Sequence, residues 1–176
     1  ITNYDLKVPL CNTPKSEYTL ENAWELVFEA TKVLGKEYKE ILVKAKEERW
    51  IDYYPHDGKR QGAFSAGVYD SVPYIMTNFT GDLESVFTIA HELGHSVHSY
   101  LSNKNQKYNN SHYRIFVAEV ASTVNENLLL EYLIKNATSK EEKMYYLYRK
   151  LDEFIGCCYR QPFFANFEDI LHKKAQ

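Results

Sequence analysis

Apolar side chains recur every three or four residues along much of this chain, the period at which one face of an α-helix is buried. Leu83, Val86, Phe87, Ala90, Leu93, Gly94, Val97 and Leu101 form the clearest stripe, with Asp82, just past Gly81, placed to cap its first turn. Residues 115–130 form a second helical stretch, dense in apolar positions. Another is expected to start at a Thr19 cap and run over residues 20 to about 34, where Gly35 breaks or kinks it before a charged helical stretch reaching about Arg49. Trp24, Phe28 and Val33 are its expected core positions. A further helix begins near Ser139, whose partner Glu142 completes a capping box, and passes through Met144, Leu147, Leu151, Phe154 and Ile155 until Gln161-Pro162 kinks or ends it. Elsewhere the period shortens to two. Residues 51–54 and 63–69 alternate weakly around the turn-forming Pro55-His56-Asp57-Gly58, and residues 74–79 alternate better, ending at Thr80-Gly81. The polar run 102–111 reads as a loop of roughly ten residues. The pattern predicts a mainly α fold with a small antiparallel β-sheet.

One helical stretch carries chemistry. His91-Glu92-Leu93-Gly94-His95 puts two imidazoles one turn apart on the same helix face, so both can reach one Zn2+ at about 2.0–2.1 Å. Glu92 projects from the same surface and suits a general base acting on a metal-activated water. Gly94 sits in the helix interior at a cost of up to about 1 kcal/mol relative to Ala, which is tolerated where a ligand or another backbone comes close. Two histidines do not complete a zinc site. Glu119 is the candidate third ligand, because Glu119, Ser122, Thr123 and Glu126 gather on one face of the apolar stretch 115–130. That face turns either to the metal or to solvent. Glu126 either accepts the other ring N–H of a ligating histidine or is solvated.

Other residues admit a role without requiring one. His98 lies about 10.5 Å from His91 along the helix axis and cannot share its ion; it bonds a substrate, bonds a structural partner, or is an ordinary polar core residue. His112 and Tyr113, ahead of the Glu119 stretch, either reach the cleft as substrate-binding groups or stay solvated. Lys59 and Arg60 either meet a peptide carboxylate or keep their loop soluble.

The stretch from His91 to Tyr100, followed by Phe116-Val117-Ala118-Glu119-Val120-Ala121-Ser122-Thr123 and Asn125-Glu126, resembles the catalytic core of the oligoendopeptidase F family, the bacterial branch of the thimet-oligopeptidase-like zinc metallopeptidases. Gly58-Lys59-Arg60-Gln61-Gly62-Ala63-Phe64-Ser65, Tyr69-Asp70-Ser71-Val72-Pro73-Tyr74-Ile75 and residues 159–168 match the family as well, so the similarity runs from about Tyr4 to the C-terminus. The resemblance implies a zincin-like fold and a zinc endopeptidase acting on short unfolded peptides. It implies His91, His95 and Glu119 as ligands and Glu92 as general base. In zinc peptidases of this plan an edge strand beside the active-site helix pairs with the substrate backbone, and the strand from Tyr74 is the candidate. Family members are several times longer and two-lobed, so residues 1–176 read as a single catalytic core within a longer chain. The family's His and Tyr donors to the tetrahedral intermediate fall beyond Gln176. The chain alone is therefore expected to bind zinc but to be weakly active or inactive.

Composition narrows the partners. With 176 residues and 44% hydrophobic content the chain can bury one core and little more. A net charge of −3 and a pI near 6.1 leave no electrostatic footprint for nucleic acid, and no basic helix or apolar run of about 20 residues suggests a membrane. An oligopeptide remains the expected partner. Cys11, Cys157 and Cys158 are odd in number, which argues against a disulfide framework and fits a reducing cytoplasm; the adjacent pair is expected to be buried as small hydrophobes. Tyr145, Tyr146, Tyr148 and Tyr159 are expected in packing. Two rival readings stand: a zinc carboxypeptidase or dipeptidyl carboxypeptidase, and a non-catalytic helical binding module with an empty site. Nothing in the pattern sets an oligomeric state.

Overall fold

The structure is a computed structural model that describes Val8, Leu10, Cys11 and residues 17–175. The chain divides into two compact units, Lys15–Tyr132 and a second made of Leu133–Gln176 with Ile1–Pro14. The boundary falls inside a helix rather than at a linker.

In the larger unit, Thr19 caps α1 (Leu20–Ala30): its hydroxyl accepts the Asn22 N–H at 3.2 Å, and the Asn22 side chain accepts the Thr19 N–H at 3.3 Å. The predicted break at Gly35 is present, at φ 91°, after a 3-10 turn over Thr31–Leu34. That turn carries Val33 outward to 74% exposure, so Val33 is not the core residue its spacing suggested. α2 (Lys36–Glu47) follows, and then three short strands, β1 (Ile51–Asp52), β2 (Phe64–Ala66) and β3 (Tyr74–Met76). Asp82 caps α3 (Leu83–Asn105) by accepting the Ser85 N–H at 2.7 Å. Val86, Phe87, Ile89, Leu93 and Val97 of α3 are buried in a core that also holds Trp24, Val27, Leu42 and Trp50.

The sheet is mixed, not purely antiparallel. Its order is β1-β3-β2, with β2 antiparallel to β3 and β1 parallel to it. Local alternation cannot reveal this, because the connection from β1 to β3 is long enough for a parallel crossover, which needs about a dozen residues. The consequence corrects one expectation. β3 is the middle strand, with Ile75 N–H donating to Trp50 O at 2.8 Å on one side and residues 64–66 paired on the other, so the backbone at Tyr74 has no free edge for a substrate. Tyr74 is instead an exposed side chain on a central strand. The edges belong to β1 and β2.

The expected loop at 102–111 is also largely helical: α3 continues to Asn105 and a single turn, α4 (Tyr108–Ser111), precedes α5 (Ile115–Asn136). In the smaller unit Ser139 caps α6 (Lys140–Ile155) by accepting the Glu142 N–H at 3.0 Å, and Glu142 turns back to accept the Thr138 N–H at 2.9 Å. The irregularity expected at Gln161-Pro162 takes the form of a π turn over Gly156–Arg160. α7 (Gln161–Lys174) then carries Pro162 in its first turn, where no backbone donor is needed. Tyr146 is buried but Tyr159 is 66% exposed, and Cys157 and Cys158 are free and exposed, against the burial expected for the pair. Among the described residues no helix is long and apolar enough to cross a membrane.

Candidate metal centre

The site begins with a glycine. A Cβ on Gly94 would lie 2.7 Å from both Ala121 O and Ser122 Cα, so the absence of a side chain there lets the backbones of α3 and α5 touch. This is the close approach that an interior glycine suggests. It brings Glu119 opposite the two histidines. His91 Nε2 and His95 Nε2 are 3.1 Å apart, and Glu119 Oε2 lies 3.5 Å from the first and 3.4 Å from the second. Bonds of about 2.0–2.2 Å to a tetrahedral Zn2+ separate adjacent donors by about 3.3–3.5 Å. The three atoms therefore fit that ion, as does their chemistry of two imidazoles and one carboxylate.

Further partners hold these three groups in place. Ser122 donates its hydroxyl to Glu119 Oε2 at 2.8 Å, fixing the oxygen that faces the histidines. Glu126 Oε2 lies 3.4 Å from His91 Nδ1, which places the ring proton on Nδ1 and leaves the Nε2 lone pair turned inward. His95 bonds to the backbone of Ala118. Behind them, Asn125, 1% exposed, donates Nδ2–H to Ala90 O at 2.9 Å and accepts the Tyr38 hydroxyl at 2.7 Å. Burial pushes that hydroxyl up to about 12, so Tyr38 stays a donor. α2, α3 and α5 are thus tied at the peptide beside His91.

Charge and burial oppose one another here. Burial lowers His91, but its hydrogen bond to Glu126 and the carboxylates of Glu126, Glu92 and Glu119 outweigh it and raise the imidazole above its ordinary value. Burial lowers His95, and His91 adds to that effect. Burial raises Glu92, reinforced by Glu119 and Glu126 against the pull of His91. The Glu92 side chain is buried and its Oε2 has no hydrogen-bond partner among the described residues. Buried carboxylate oxygens are rarely left so. It is a buried carboxylate with a free acceptor beside a cluster of metal-ligand type.

His98 stacks on Tyr113 at 3.8 Å between ring centroids, and its buried Nδ1 also lacks a hydrogen-bond partner among the described residues. Tyr113 reaches Ser99 Oγ through its hydroxyl at 2.9 Å, while His112 is exposed beside Tyr108. Neither joins the three-ligand cluster. Lys59 does not wait for a peptide carboxylate: its Nζ is 3.0 Å from Asp52 Oδ2 and donates to Tyr54 O at 2.8 Å, bracing its own loop. Sequence spacing missed Asn125 and Tyr38, which are 87 positions apart. The only available signal was an amide within an otherwise apolar helix.

The model of Peptidase family M3 matches residues 3–176 of this sequence. The chain belongs to that family. It is 45% identical to oligopeptidase PepF of Bacillus subtilis over 98% of its own length and 26% of the relative's, and 43% identical to an oligoendopeptidase F homolog of Borreliella burgdorferi over 97% and 29%. Among solved structures, a peptidase of Chlamydophila abortus superposes with a TM-score of 0.88 at 43% identity, covering 99% of this chain and 29% of that one. The oligoendopeptidase F of Enterococcus faecium gives 0.57 at 30% identity over 99% and 23%. The chain thus spans roughly a quarter of the length of these M3 relatives.

Proposed function

We propose that this chain is the zinc-binding catalytic core of an M3 endopeptidase that cuts internal bonds of short unfolded oligopeptides. The observation that carries the reading is the triangle of His91, His95 and Glu119 donor atoms with the unpartnered Glu92 oxygen beside it. Zinc held by the three ligands would supply Lewis acidity, bringing the pKa of a water towards neutrality and polarising a peptide carbonyl. Glu92 does the proton work. Its Oε2 takes a proton from the attacking water and passes it to the leaving amine, and the raised pKa that burial gives it favours the uptake step. Glu126 holds His91 in the tautomer that offers Nε2, and Ser122 holds Glu119. No nucleophilic Ser or Cys is required. β2 supplies the sheet edge that β3 does not, and pairing along it reads a peptide by its backbone, irrespective of sequence. Three free cysteines suit a reducing cytoplasm.

The test uses the full-length protein and an internally quenched oligopeptide blocked at both ends. Cleavage that tracks bound zinc, disappears with a chelator and returns with zinc supports the reading. Zinc-dependent cleavage of free-carboxylate peptides alone would assign a carboxypeptidase, and zinc-loaded protein with no cleavage of either would leave a binding module.

A further inference from the structure

β2 and α3 run in step. Ala63 and Thr88 line a common cavity of about 280 Å³, Ser65 Oγ meets Ser96 Oγ at 2.7 Å, and a Cβ on Gly67 would lie 2.6 Å from Ser99 Cβ. Strand and helix therefore advance in the same direction, a few residues at about 3.3 Å each against a longer run at about 1.5 Å each. Thr88, His91, His95 and Ser99 follow at spacings of three and four, one face of α3. That face is the floor of a groove. β2 stands on the Ser96 side, and α5 on the Gly94 side.

A strand added to the outer edge of β2 gains most by pairing antiparallel, the more stable ladder. A peptide laid this way has its N-terminal part at Gly67 and Ser99, the histidines at its middle and its C-terminal part at Ala63 and Thr88. At the Gly67 end lies a second cavity of about 210 Å³, lined among others by Ser65, Ser99, Asn103, His112 and Tyr113. Its walls are set in advance. Tyr113 is stacked on His98 and bonded to Ser99, and Asn103 donates to Val68 O at 3.0 Å. Among the described residues no acidic, lysine or arginine side chain lines it, and hydroxyl, amide and imidazole groups do.

We propose that this cavity is the subsite for a side chain on the N-terminal side of the cleaved bond, and that it selects an uncharged hydrogen-bonding side chain such as Gln or Asn over an aliphatic one. The assignment rests on the peptidase reading and adds to it a direction and a preference. Beyond these internal bonds the serine and tyrosine oxygens, the Asn103 amide and the His112 ring keep donor and acceptor capacity, which an aliphatic guest would desolvate without replacing.

The experiment uses the full-length enzyme and blocked peptides that differ only by Gln or Leu at each of the three positions before or after the cleaved bond. Wild-type kcat/KM is expected to favour Gln at one position before the bond by about tenfold or more. His112→Leu and Tyr113→Phe should each reduce that ratio at least about threefold, with bound zinc unchanged. Ratios that move only for positions after the bond would overturn the direction, and ratios that move nowhere would overturn the subsite while cleavage itself keeps the peptidase reading. A wild type that cuts none of these peptides removes both.

Discussion

α3 and α5 supply the two halves of the candidate metal site and are held by different forces. α3 buries Val86, Ile89, Leu93 and Val97 almost completely and is anchored by its Asp82 cap. The first half of α5 leaves Ile115 and Phe116 91% exposed and Val120 57% exposed. What joins α5 to α3 at the site is short-range and specific: backbone against Gly94, Asn125 on Ala90, and carboxylates on histidines. The histidine half is thus fixed by hydrophobic burial and the carboxylate half by contacts made at the site. Substitutions on α5 should register in metal affinity, whereas core substitutions on α3 should register first in folding.

The strongest way to break this contrast is Glu119→Ala in the full-length protein, which should abolish stoichiometric zinc and all peptidase activity. Because the Glu119 side chain is 64% exposed, metal-free thermal stability should barely change. Elemental analysis beside melting in a chelator checks both halves, and retained zinc would show that another group closes the site. Glu92→Gln comes next. It should keep its zinc while turnover falls by about 10²–10⁴-fold, the usual contribution of a general base. Loss of metal in that variant would make Glu92 a ligand instead.

Gly94→Ala acts on both helices at once, since it alters α3 but strikes α5. The new methyl group meets backbone at 2.7 Å, so one helix must move, at a cost of about 1–3 kcal/mol, and zinc affinity should fall together with stability in chemical denaturation. A stable variant with unaltered affinity would mean that the helices need not touch. Glu126→Ala should weaken zinc by about 10–100-fold in competition titrations without removing it, as losses of a histidine's outer partner do. The smallest effect belongs to Tyr38→Phe. The Tyr38 hydroxyl is raised to about 12 in the fold, above its ordinary 10.0, so its contribution to stability is whole below pH 10 and is lost as pH rises towards 12. Wild-type melting temperature should accordingly drop more steeply than the variant's across that interval, and parallel curves would count against the assigned burial.

How much of this could be read in advance depended on range. Helix positions, the caps at Thr19, Asp82 and Ser139, and the His91–His95 spacing follow from neighbours within a turn or two, where periodicity and cap chemistry decide the outcome. The significance of Gly94 was legible as a cost that something must offset. Strand order was not, because β1 pairs with β3 although β2 comes between them in sequence, and no alternation within residues 51–54 or 74–79 states which partner lies alongside. Val33 failed because a 3-10 turn shifts the angular position that a 3.6-residue period assumes. Cys157 and Cys158 failed because an apolar helix stripe records what a helix can bury, and the exposed Leu147, Leu151, Phe154 and Phe163 show that among the described residues α6 and α7 leave much of it uncovered. Tyr38 and Asn125 meet only after three helices have assembled.

The close contact at Gly94 also has a kinetic meaning. His91 and His95 are in place once α3 has formed, since four residues of helix set their spacing. Glu119 arrives only when α5 settles on the glycine, a long-range event in the chain. An ion retained by all three ligands therefore stabilises a state in which docking has already happened. In refolding and unfolding experiments zinc should slow the departure of α5 far more than it hastens its arrival, so that the metal lengthens the lifetime of the assembled helices rather than guiding their search.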